Sequence, residues 1–431
     1  MLVALFDGAQ SPLATAAMTI VVWSAVALSA LVEPRPPRPS APAAVAIGAL
    51  LVLALLVAAS SAWADDDGRV FVDGVRVAGY LGLLVVVAIG IRYREVRPIL
   101  GGIAVAIVTV AAIAVGSRLF PDLLTGDATF LREFPEAVRG RLSYPIGYWN
   151  GLAASMAAGT VLCVWFGSSG GTRLIRSAAV GAIPLLLLTL YLTGSRGGLL
   201  AAILGVCVLL ALAPVRTRAL VGILIGVAGG VLLALAFSTQ QDVVEGVAGR
   251  GSAPLLAALM VVIAVLGFAL RRSIDERIQL PRVPRLLQGR WLVAAAVAVV
   301  AALFLLGGGI ERVGEISDEA KVDAYGRGEF SGRFLALGSN GRVQLWEAAI
   351  EAFLEEPLHG IGAGAFGFWW NRNGTLAEPA RDAHSLFLEA LAELGPLGLL
   401  CVLAIFGAAA LAAARLTFGD QDGTVAVLTG V

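Results

Sequence analysis

Three side chains have the types and settings to act on an anionic group. Arg196 lies in Thr193-Gly194-Ser195-Arg196-Gly197-Gly198, a tight hairpin between two apolar runs. Glycines on both sides remove bulk and expose backbone N–H groups at the start of the next helix, a geometry that favours phosphate. An arginine held at a membrane edge is costly unless it snorkels or meets an anion. Arg342 stands in Asn340-Gly341-Arg342-Val343-Gln344-Leu345-Trp346, with Asn340 as an N-cap. A cation in the first turn of a helix opposes the helix dipole, which points to an anion as its partner. His384, one of two histidines, sits in Ala383-His384-Ser385 where a polar stretch meets an apolar one. An imidazole there has the right intrinsic basicity for proton transfer near neutral pH, and a purely structural role stays open beside it. Arg381 and Asp382 lie next to it and could orient it; His359, in the turn PLHGIGAG, reads as structural.

The elements that must position these groups are legible around them. Val343, Trp346, Ile350 and Phe353 recur at helical spacing, which predicts an amphipathic helix over 341–356 on the outer face, ended by Pro357. Trp346 reads as an anchor at the interface more than as a contact to substrate. Upstream, Tyr144 to Gly151 (YPIGYWNG) returns a long loop to the membrane. Tyr144, Tyr148 and Asn150 at a helix mouth suit a sugar-binding platform, with Ser195 of the hairpin beside them; an aromatic belt at the interface explains Tyr148 and Trp149 equally well.

Almost everything else is apolar. The 431 residues are 58% hydrophobic and 14% charged, with mean hydropathy +0.87, which is polytopic membrane composition. The formal net charge is zero, so no global field argues for nucleic acid. Cys163, Cys207 and Cys401 all fall in apolar runs without metal spacing. Stretches of the ~20 residues needed to cross a bilayer lie near 13–32, 42–62, 75–91, 98–116, 150–166, 177–193, 197–213, 219–237, 252–270, 290–309 and 386–414. Without water to satisfy backbone groups, these must be helices. Alternate loops hold fifteen arginines (Arg35, Arg38, Arg92, Arg94, Arg97, Arg173, Arg176, Arg216, Arg218, Arg271, Arg272, Arg277, Arg282, Arg285, Arg290), and the intervening short loops only Arg69, Arg76, Arg196 and Arg250. The positive-inside rule makes the first set cytoplasmic and turns the long loops 117–149 and 310–385 outward.

The expected architecture is therefore an all-α polytopic membrane protein of about eleven complete transmembrane helices. A bundle over 1–309 carries the outer loop 117–149, a large extracytoplasmic loop follows over 310–385, and C-terminal helices occupy 386–431. Met1 to Phe6 and the run beginning at Val425 read as partial helices, predicting a truncated protein of twelve to fourteen spans; a helix before Met1 would turn the N-out topology into N-in.

LTGSRGG, GRVQLWEAAIEAFLEEPLHGIGAGAF and HSLFLEALAELGPLG together resemble the O-antigen ligase and polymerase superfamily of bacterial membrane glycosyltransferases. The ligases' last motif is His, then Asn, Ser or Gln, nine residues, Gly, two residues, then Gly, Thr or Val. Here it is met by His384, Ser385, Gly395 and Gly398. The resemblance covers roughly 140–415 and implies a GT-C-like fold in the bacterial plasma membrane with its active site facing the periplasm or exterior. It implies inverting, metal-independent transfer, without cofactor, from an undecaprenyl diphosphate-linked glycan to a glycan, lipid or protein acceptor. Arg196 and Arg342 would hold the diphosphate and His384 would activate or orient the acceptor hydroxyl. Three other readings compete with this ligase: a polymerase of the same superfamily, a metal-dependent transferase using Asp65-Asp66-Asp67, and a transporter. The near absence of charge within the spans disfavours transport.

Overall fold

A computed structural model describes residues 11–32, 38–90, 93–121, 123–124, 140–169, 171–212, 216–244, 251–278, 341–376 and 379–419. Asn340, 125–139 of the loop 117–149, the expected span 290–309 and both chain ends lie outside the described residues.

Every element among the described residues is helical: α1 (Pro12–Val32), α2 (Ala41–Ala59), α3 (Asp67–Gly90), α4 (Tyr93–Leu119), α5 (Trp149–Ser169), α6 (Arg173–Leu192), α7 (Arg196–Leu212), α8 (Arg216–Ser238), the short α9 (Gln241–Val244), α10 (Ala253–Arg277), α11 (Arg342–Glu355), α12 (Phe366–Asn373) and α13 (Leu386–Gly419). Nine of these are long and apolar enough to cross a membrane, and α7 is a shorter apolar helix. Side-chain caps start several of them: Ser40 Oγ accepts from Ala43 N–H and Thr172 Oγ1 from Ile175 N–H.

The helices pack in two groups. The first gathers α4, α5, α7, α8 and α10 around α6, with a core that includes Met156, Leu162, Ile183, Leu186 and Phe237. Small residues let these backbones close in, as expected where lipid supplies no hydrophobic drive between helices. A Cβ at Gly226 would stand 2.5 Å from Ile183, and one at Gly181 2.7 Å from the Ala264 carbonyl. The second group packs α1 on α3 and α13 on α2, with Leu50, Leu53, Val57 and Cys401 at its centre. Above it, α11 and α12 lie against the start of α13 and enclose Leu345, Phe366, Trp369, Trp370 and Ala383.

Charged residues gather at the two ends of the bundle. At one end Arg97 donates to the Ser169 carbonyl at 3.1 Å, while Arg176 (2.7 Å) and Arg271 (3.1 Å) share the Asp275 carboxylate. These arginines belong to the set expected on the cytoplasmic side. At the opposite end Trp63 Nε1 donates to Gly360 O at 3.1 Å, Arg69 to Gly364 O at 3.2 Å, and Arg372 pairs with Asp65 at 2.7 Å. The loops placed outside by alternation thus meet one another.

Two helix starts differ from expectation. The helix expected from residue 75 starts at Asp67, so Arg69, Asp73 and Arg76 ride on helix rather than in a loop. Gly341, at φ 74°, occupies the cap position before Arg342 in place of Asn340; glycine enters this left-handed conformation without a Cβ clash. On α11 the face turned to the protein is the small-residue one, Leu345, Ala348, Ala349 and Ala352. Trp346 and Ile350 are exposed, which keeps Trp346 in an anchor's position.

Candidate active site

The outer end is built around two helix beginnings. The α6–α7 hairpin is locked from upstream: Leu142 N–H donates to Leu192 O at 2.9 Å, and Arg141 donates to Thr193 O at 3.0 Å and Gly194 O at 3.4 Å. The Arg141 guanidinium also lies over the Trp149 ring at 4.4 Å. Ser195 Oγ caps α7 by accepting from Gly198 N–H at 3.2 Å and donates to Asn150 Oδ1 at 2.8 Å, while Asn150 Nδ2 donates to Tyr148 Oη at 2.9 Å. Tyr148, Asn150 and Ser195 therefore form one chain of hydrogen bonds that fixes the hairpin; Tyr144 lies half-buried in the same turn. Gly198 allows α7 to meet α5, since a Cβ there would stand 2.5 Å from Ala153 Cβ, whereas the position above Gly197 is open.

Arg196 is the first residue of α7 and Arg342 the first of α11. The charge of Arg342 is felt at Arg196. Unpaired N–H groups at each helix start add partial positive charge, so both arginines stand in a positive local field. Arg342 is exposed and has no ion-pair partner among the described residues.

His384 belongs to a different set of contacts. Its Nδ1 lies 2.6 Å from Asp382 Oδ1, and the same oxygen accepts from the His384 backbone N–H at 3.2 Å. This double grip holds a non-glycine residue at φ 52°, a conformation that costs roughly 1–2 kcal/mol, and leaves the Nδ1 side of the ring on Asp382. The His384 hydrogen bond keeps the Asp382 carboxyl below the usual carboxylate range. Behind it Glu389 accepts from Ala383 N–H at 3.1 Å. Arg381 and Asp382, together with Arg69, Asp73 and Arg76 of α3, line a cavity of about 280 Å³; Arg196, Arg342 and His384 do not line it.

The break in α13 explains how the histidine end is positioned. Gly395 is non-helical at φ 66°, ψ −166°, and Pro396 has no N–H, so the carbonyls of Ala392 and Glu393 lose their helical partners. Ile361 N–H takes Ala392 O and Gly362 N–H takes Glu393 O, both at 2.9 Å. The Glu393 carboxylate accepts from Gly364 N–H at 2.9 Å and Phe366 N–H at 3.0 Å, capping α12. Glycine is required where this turn touches α13, because a Cβ at Gly360 would fall 2.4 Å from the Glu393 carbonyl carbon. The glycine-rich turn and the His384–Gly398 motif are thus one structural unit.

The aspartates before α3 are employed locally. Asp66 Oδ1 accepts from Gly68 N–H at 2.8 Å and Arg69 N–H at 3.4 Å, and Asp65 pairs with Arg372. His359 meets the Trp63 ring at a tilt, centroids 5.0 Å apart, and its Nε2 lies 3.4 Å from Glu356.

A protein-family model described as O-antigen ligase matches residues 247–403, the stretch that carries Arg342, the glycine-rich turn and His384 to Gly398. This stretch is similar to the O-antigen ligase family. No curated protein matches the chain. The match supports a ligase- or polymerase-like membrane glycosyltransferase of polysaccharide biosynthesis, in keeping with the nine membrane-length helices among the described residues. Arg196 and Tyr144 lie upstream of the matched stretch. Sequence reasoning missed Arg141, which pins the hairpin, and Glu389 and Glu393. The two glutamates' spacing, four apart on an otherwise apolar helix, was a usable signal, since buried carboxylates need partners.

Proposed function

We propose that the chain is an inverting, metal-independent glycosyltransferase of the bacterial plasma membrane. It moves a glycan from undecaprenyl diphosphate to an acceptor hydroxyl on the outer face, and no cofactor is needed. The observation that carries this reading is the approach of Arg196 and Arg342, each the first residue of a helix, at the end of the bundle opposite the arginine-rich one. Guanidinium groups present several fixed N–H donors to a diphosphate and strengthen as charge develops on the leaving oxygen. The acceptor oxygen attacks the anomeric carbon, the bond from that carbon to the diphosphate oxygen breaks with its electron pair leaving on the diphosphate, and the hydroxyl proton passes to His384 Nε2. Asp382 supports this by holding Nδ1 as the N–H and stabilising the imidazolium that forms. Arg381 orients the site beside it, and Trp346 anchors α11 at the interface. The reading keeps the expected GT-C-like arrangement of about eleven crossings, of which nine long apolar helices stand among the described residues.

A ligase and a polymerase share this chemistry and differ in the acceptor. The test is turnover of a carrier-linked glycan by the purified protein. Wild type should release undecaprenyl diphosphate with transfer, and folded His384→Ala should lose on the order of 10²–10⁴ of the rate, the usual share of a general base. Unchanged transfer in His384→Ala would remove the histidine from the mechanism.

A further inference from the structure

Arg141 is bonded to the backbone that carries Arg196. Its Nε donates to Thr193 O at 3.0 Å and its Nη2 to Gly194 O at 3.4 Å, so one planar guanidinium spans two consecutive carbonyls 52 and 53 residues further along the chain. Beside it Leu142 N–H takes Leu192 O at 2.9 Å. Because α6 ends at Leu192, these three carbonyls lie where the helix supplies no further donors and where its dipole favours a cation.

The guanidinium is also held on its flank. It stands 4.4 Å from the centre of the Trp149 ring, whose face attracts a cation, and Trp149 is the first residue of α5. The end of α6, the turn into α7 and the start of α5 thus meet on one half-buried side chain.

The turn it grips has little stiffness of its own. Gly194 stands at φ 59°, and Gly197 and Gly198 follow Arg196, so the backbone on either side of that arginine has freedom that groups outside the turn must remove. Ser195 Oγ on Asn150 provides one such tie and the Arg141 fork the other. An arginine carried by a mobile turn must be ordered when an anion binds, and that ordering weakens the affinity.

We propose that Arg141 is a positioning residue of the diphosphate site: it holds the α6–α7 turn so that Arg196 is already set for the carrier diphosphate, and it acts on binding through Arg196. The proposal rests on the transferase reading above and adds to it a residue outside the stretch matched to the ligase family. Lysine is no equivalent here, since an ammonium is a single point of charge while two carbonyls call for a fork of fixed geometry.

The test is the affinity of the full chain in lipid nanodiscs for undecaprenyl diphosphate, with the melting temperature recorded for each variant. Arg141→Lys and Arg141→Ala are expected to weaken binding by about three- to tenfold, the effect of ordering one long side chain. Made on top of Arg196→Ala, the same changes should alter affinity by no more than about 1.5-fold, whereas on top of His384→Ala, an independent site, they should keep their full effect. A general structural defect would weaken binding whether or not Arg196 is present. Should Arg141→Ala fail to fold, Arg141→Lys decides alone, because it keeps the charge beside Trp149 and loses the fork. Wild-type affinity in Arg141→Lys, or a loss as large with Arg196→Ala as without it, overturns the proposal and leaves the transferase reading standing. Wild-type affinity in Arg196→Ala defeats the diphosphate role of Arg196 and this proposal together.

Discussion

His384 and Asp382 form the smallest unit on which the proposed chemistry depends. A single carboxylate oxygen binds both the ring Nδ1 and the backbone N–H of the histidine, so ring orientation and the positive φ are set by one side chain. Asp382→Asn should keep the volume but lose the charge that stabilises an imidazolium. The expected result is a fall in kcat of about 10²-fold or more, by analogy with other base-orienting carboxylates, with little change in the donor KM; steady-state kinetics on the purified protein checks it. The sign of the pH effect follows from the depressed Asp382 pKa. The contribution of the pair to stability is complete above the ordinary carboxylate value of about 4 and fades as pH falls through the lower folded value. Melting temperature measured from pH 7 downward should therefore show an acid-side loss in wild type that Asp382→Asn lacks. Residue type and position made His384, Arg196 and Arg342 readable from sequence. The partners of Ser195 and Asn150 were not, because each finds the other 45 residues away.

Among elements, the α13 break is the one whose disturbance should propagate. Gly395→Ala places a Cβ 2.6 Å from the Leu358 carbonyl on a backbone at φ 66°, so both contact and conformation oppose it. A loss of at least 1–2 kcal/mol is expected from the conformation alone, visible as a lower melting temperature in detergent. Glu393→Ala should also destabilise, by roughly 1–3 kcal/mol for each buried N–H left without a partner, namely those of Gly364 and Phe366. The His384–Gly398 spacing was legible as a motif. Its physical reason was not, since Pro396 frees carbonyls whose replacement donors, Ile361 and Gly362, lie on another segment. The protein-facing side of α11 was not legible for a related cause: periodicity marks which residues are apolar, while packing against α13 selected the alanines that allow close approach.

Across the whole molecule, charge separates toward two ends, and α7 and α11, one from each group of helices, both begin with an arginine. The arginine count in alternate loops made this polarity readable at once; the burial of Asp275 between Arg176 and Arg271 was not readable, because it joins α6 to α10. Single cysteines test the orientation: Leu358→Cys, at an 85% exposed position, should react with a membrane-impermeant reagent on intact cells, and Arg272→Cys should not. The most direct measurement of the central claim is a double-mutant cycle on undecaprenyl diphosphate affinity with Arg196→Ala, Arg342→Ala and the pair. The account predicts that each single change weakens binding by about tenfold or more, as for loss of a charge-assisted contact, and that the two effects are coupled by at least ~0.5 kcal/mol. Wild-type affinity in either single variant, or strict additivity in the pair, would contradict a shared diphosphate site.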